Sequence, residues 1–187
     1  MIGFLRKKVA QRVVGNYIED VMKEGLPSEF GKNATAGYLA TLSRCRFLYI
    51  AMFFGGKRFV RSSDAGRTGR DRTLFAALVT VMFASLASRM GIEKKEIARV
   101  ICWQFESIPE IWRSHLIGLT EALVDEAGDL PFQSNSILTF MRQISIQGST
   151  QSEDLEILEG MTFHLIYLAY ATDALEQFRR IRTMLDA

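Results

Sequence analysis

Cysteine, proline and histidine are all scarce in this chain: two, three and two among 187 residues. Cys45 and Cys102 stand apart in apolar, helix-like surroundings. That excludes a disulfide scaffold and reads as two reduced, buried packing residues of a cytoplasmic protein. No zinc-ligand spacing includes them. A bilayer-length apolar run is also missing. The longest uncharged stretch, Thr73 to Ser88, has 16 residues, against the roughly 20 that a membrane helix needs. It reads as a buried central helix, and a membrane partner is not expected. The N-terminus places its apolar residues before its charges, the reverse of a secretory signal. Ile2 rather than glycine follows Met1, which excludes the myristoylation signal.

What is present fits one globular unit. At 48% hydrophobic and 24% charged, the chain lies within the ordinary globular range, and residues 1–187 are expected to form a single domain. The net charge of +2 conceals an uneven distribution. Residues 1–92 carry 15 Lys/Arg and 6 Asp/Glu, whereas residues 93–187 carry 8 and 15. Complementary halves of one fold, or a basic face for an acidic partner, would both produce this split.

The apolar spacing is helical throughout, with no strand-like alternation. Ile2, Leu5, Val9, Val13 and Tyr17 recur every three or four residues, which predicts a helix from Ile2 to about Lys23. Gly25, Pro27 and Gly31 break it. Asn33 is the expected N-cap of a second, aromatic-rich helix ending near Phe54. A third, Leu74 to Met90, is apolar nearly all round and belongs at the centre of a bundle. Gly91 fits the left-handed position beyond it. A fourth runs from about Glu93 to Glu106. Ser107 and Glu110 have capping-box spacing and open a fifth that reaches about Ala127. A short helix is expected over Ile137 to Ile146, then a long one from about Gln151 to Leu185, opened by Thr150 and Glu153. The expected fold is an all-α bundle of six to seven helices with a long C-terminal helix.

The segment "GGKRFVRSSDAGRTGRDR", residues 55–72, is the main candidate for chemistry. Lys57, Arg58, Arg61, Arg67, Arg70 and Arg72 outnumber Asp64 and Asp71. Four glycines would let backbone N–H groups approach an anion. A solvated, flexible loop of about residues 55–72 is the plainer expectation, and nucleic acid or another polyanion is the functional one. "GGKR" lacks the spacing of a phosphate-binding P-loop. "GRTG" resembles the two-glycine loop of an RNA-binding fold that requires strands.

Along the last helix, Leu168, Leu175, Phe178 and Leu185 lie on a seam with four- and three-residue steps, the pattern by which helices pair. They are the candidate partner-helix interface, with self-association expected. His115 and His164 sit on apolar seams and are weak candidates for a metal or a cofactor iron. No Glu-x-x-His pair supports a carboxylate-bridged metal site, so no cofactor is expected. The 13 Phe and 8 Met would fill a core or line an apolar ligand pocket. The basic, amphipathic first helix would dock on its own domain or lie on an anionic membrane. No stretch carries the signature of a nucleophilic enzyme. The function expected is therefore non-enzymatic: a helical interaction or regulatory protein that acts as a homodimer. Polyanion binding through residues 57–72 and a bundle holding a small apolar ligand or cofactor are the alternatives.

Overall fold

A computed structural model describes the backbone of residues 2–55, 67–125 and 153–187, with side chains over 8, 11–50, 72–73, 75–110, 113–114, 116–121, 123–124 and 167–187. The chain is an all-α bundle. Among the described residues there are six α-helices and no strand: α1 (Ile2–Glu24), α2 (Lys32–Gly55), α3 (Arg67–Ala87), α4 (Lys94–Glu106), α5 (Glu110–Asp125) and α6 (Glu153–Asp186). The helix expected over 137–146 lies outside the described residues.

α3 forms the centre. Thr73 and every residue from Phe75 to Ala87 are buried, and α3 packs against α1, α2, α4, α5 and α6. Its Phe75, Leu78, Met82, Phe83 and Leu86 are shielded from solvent almost completely. Full burial of such side chains contributes about 1.5–3 kcal/mol each. A 3₁₀ turn (Ser88–Met90) ends the helix, and Gly91 takes the left-handed conformation at φ 66°. Gly91 N–H bonds Ser88 O and Ile92 N–H bonds Ala87 O, both at 3.1 Å. This pairing satisfies the last carbonyls.

α1 docks through Val13, Val14, Tyr17 and Val21, all buried, so the described part of its apolar stripe faces α2 and α3. α2 and α6 form the most extensive helix pair, and they run antiparallel. Lys32 meets Asp186 at 3.2 Å, Arg44 meets Asp173 at 3.0 Å, and the Phe47 ring stacks on Tyr170 with centroids 6.4 Å apart. Its 34 residues make α6 about 50 Å long, enough to follow α2 along its whole length.

Four expectations are corrected. α3 begins at Arg67, not Leu74, so residues 67–72 are helical rather than loop. Contacts from α1 to Arg72 anchor that extension. Asn33 lies inside α2 and does not cap it: Gly31 O accepts the Thr35 N–H, while the Glu96 carboxylate accepts the Gly31 N–H at 3.1 Å. Asn33 is left to accept from Arg182 and reach Gly91 O. Ser107 donates to Gln104 O at 2.8 Å, so its hydroxyl serves the end of α4. Only Cys45 is buried; Cys102 is exposed, because it lies on the outward face of α4 beside Ile101.

Candidate functional site

Among the described residues, two concavities adjoin α4, one polar and one apolar. The polar cleft lies between α1, the start of α3 and the end of α4, with a volume of about 250 Å³. Its wall is a buried hydrogen-bond network joining three helices. Tyr17 donates its hydroxyl proton to Gln104 Oε1 at 2.9 Å, and Gln104 Nε2 donates to the Tyr38 hydroxyl. Gln104 is 2% exposed. It belongs to the buried face of α4 with Ile97, Val100 and Ile101; a polar group there must find partners or cost stability. Burial pushes the Tyr17 hydroxyl up from its usual 10.0 and the Tyr38 hydroxyl well above it. The rings are held edge-on: Tyr17 against Phe75 at 5.3 Å, Tyr38 against Trp103 at 5.2 Å and Trp103 against Phe30 at 5.7 Å.

Carboxylates rim this cleft. Asp20 and Glu24 are one turn apart on α1 and therefore share a face; Glu106 ends α4, and all three line the cleft with Arg72. Arg72 pairs with Asp20 at 2.5 Å, and its guanidinium lies 5.5 Å from the centre of the Tyr17 ring. Arg72 is thus held by its own domain in an acidic setting.

The apolar groove, about 380 Å³, runs between α4 and α5. Ile97, Ile101 and Phe105 line one side and Ile117 and Val124 the other, with Cys102 between and Lys94 and Glu121 at the rim. Ile117 is 43% exposed, since the inner face of α5 belongs to Leu116, Thr120 and Leu123.

The other sequence candidates are scattered. Lys57, Arg58 and Arg61 lie outside the described residues. Arg67 and Arg70 fall in the first turn of α3, where helix N–H groups are unpaired. Leu168, Leu175 and Phe178 are half-buried against the bundle's own core, whereas Leu185 is 38% exposed beside Met184 at 76%. The side chains of His115 and His164 lie outside the description. Among the described residues, no group of three or more His, Cys, Asp or Glu is placed to hold a metal ion, and no helix is long and apolar enough to cross a membrane.

Sequence reasoning missed both concavities. The apolar groove had a signal, because Ile117 lies off the seam of Leu116, Thr120 and Leu123. The polar cleft had only Gln104, a lone amide on an apolar stripe. Comparison with protein-family models, curated proteins and solved structures found no match.

Proposed function

We propose that the protein acts without catalysis, as a helical interaction protein that self-associates through the groove between α4 and α5. The observation that supports this most is the groove's apolar lining, with Ile117 nearly half exposed. Stable association buries such surface. The rim carries one charge of each sign, Lys94 and Glu121. A two-fold dimer presents the same patch twice and must complement itself; a rim of mixed sign meets that demand, whereas a rim of one sign would repel. Three of the four seam residues on α6 already pack within the bundle, which moves the preferred contact face from α6 to α4 and α5.

The test is sedimentation equilibrium of the wild type and Ile117→Glu. The substitution alters a side chain that is already solvent-accessible, so the fold should survive. Introducing a charge at the middle of the contact should weaken dimerisation by about 30-fold or more. A wild type that stays monomeric at high micromolar concentration, or a variant of unchanged mass, would overturn the reading.

Polyanion binding is the second reading. It is favoured by the start of α3 at Arg67, which adds a helix N-terminus to Arg67 and Arg70. Arg67→Ala/Arg70→Ala should then weaken binding to single-stranded DNA and flatten its salt dependence. Absence of wild-type binding at low salt would end it.

A further inference from the structure

We infer that the proposed dimer is held in one register: its two-fold axis runs lengthwise along the α4–α5 groove, and Lys94 of each protomer pairs with the partner's Glu121. This rests on the self-association reading and adds to it which end of each groove meets which. α4 ends at Glu106 and α5 begins at Glu110, so the two helices share a short corner and run away from it. Both rest on α3, and both line the groove along its length. From the corner, Lys94 lies 12 residues up α4 and Glu121 lies 11 residues up α5, about 18 and 17 Å at 1.5 Å per residue. The two charges therefore share the open end of the groove. Phe105 stands at the corner end, with Ile101 and Ile117 nearer to it than either charge.

Two copies can bring such grooves face to face about an axis running across them or along them. An axis across swaps the ends, which lays Lys94 over the partner's Phe105 and carries Glu121 away from any Lys94. Burying a charge against apolar surface without a partner is costly. An axis along the groove keeps like ends together, so that α4 of one protomer faces α5 of the other. Apolar surface then meets apolar surface, and Lys94 faces the partner's Glu121 twice over, once on each side of the axis. The side chains suit this exchange. Both are exposed, and Glu121 has no ion pair or hydrogen bond among the described residues. Lys94 already keeps a contact of its own, but an ammonium carries three donors and can take a further acceptor. Glu93 makes no side-chain cap on α4, so the partial positive charge at that helix N-terminus, beside Lys94, also favours an arriving carboxylate.

Charge reversal followed by sedimentation equilibrium of the full chain at low ionic strength tests the register. Lys94→Glu and Glu121→Lys should each weaken dimerisation about 10-fold, since each turns two attractions at the rim into two repulsions. The double variant Lys94→Glu/Glu121→Lys restores opposite charges across the axis and should return to within about threefold of the wild type. Both positions are exposed, and unchanged circular dichroism confirms the variants as folded. A single reversal that dimerises as tightly as the wild type, or a double variant as weak as the singles, would overturn the register; the dimer itself would still stand if Ile117→Glu dissociates it. A wild type that stays monomeric would end the self-association reading and the register with it.

Discussion

Gln104 is the polar tie between three helices. It joins Tyr17 and Tyr38 across 87 and 66 residues of sequence, and so fixes α1, α2 and α4 relative to one another. Gln104→Leu keeps the volume similar but removes one partner from each of two buried hydroxyls, at about 1–3 kcal/mol each; urea denaturation should show a loss of about 3 kcal/mol in total. The tyrosines also set an alkaline limit. Their folded pKa values are raised, mainly by burial, above the usual 10.0. The folded state therefore holds these protons more tightly than the unfolded chain does. Their contribution is intact below pH 10 and is lost as pH rises beyond it. Unfolding free energy should decline from that point, and tyrosinate absorbance should rise together with the loss of helix. A tyrosinate signal that saturates near pH 10 in a still-folded protein would refute this. Little of the network was legible in sequence. Spacing places Gln104 on a buried face, but no spacing indicates which distant hydroxyls meet it.

The helices themselves were readable, because 3.6-residue periodicity is a local property. Their ends were readable where the chain alone decides them and were missed where tertiary contacts do. Gly91 takes the expected left-handed turn. The start of α3 was missed because Asp20 and Tyr17, on another helix, hold Arg72. The start of α2 was missed because Glu96 supplies what Asn33 was expected to supply. Two glycines make opposite predictions. Gly15 lies inside α1 with nothing within 4 Å of an added methyl, so Gly15→Ala should stabilise by about 0.5–1 kcal/mol. Gly91, at φ +66°, would be strained by a side chain, and Gly91→Ala should destabilise by about 1 kcal/mol. Paired thermal melts of the two variants decide both, and a shift of the same sign in both would contradict the argument.

For the whole molecule, the pairing of α2 with α6 is the main long-range constraint. The Arg44 side chain is 17% exposed and rests on Asp173, with its guanidinium 5.6 Å from the Phe47 ring centre. Asp173→Ala leaves that guanidinium with fewer partners at the seam. The cost should be about 1 kcal/mol, tempered by the partial exposure of Asp173. A double-mutant cycle with Arg44→Ala separates the pair from its neighbours; zero coupling would dismiss it. If residues 1–187 fold as one domain, tryptophan fluorescence and far-ultraviolet circular dichroism should follow one transition in urea. Two separated midpoints would divide the chain.

The partners that lock α2 to α6, such as Asn33 and Arg182, stand 149 residues apart. At translation speeds of about 5–20 residues per second, α2 leaves the ribosome roughly 7–30 s before the helix that covers it. Throughout that interval the nascent chain carries a bare flank, with Arg44 and Phe47 uncovered, that a chaperone is well suited to shelter.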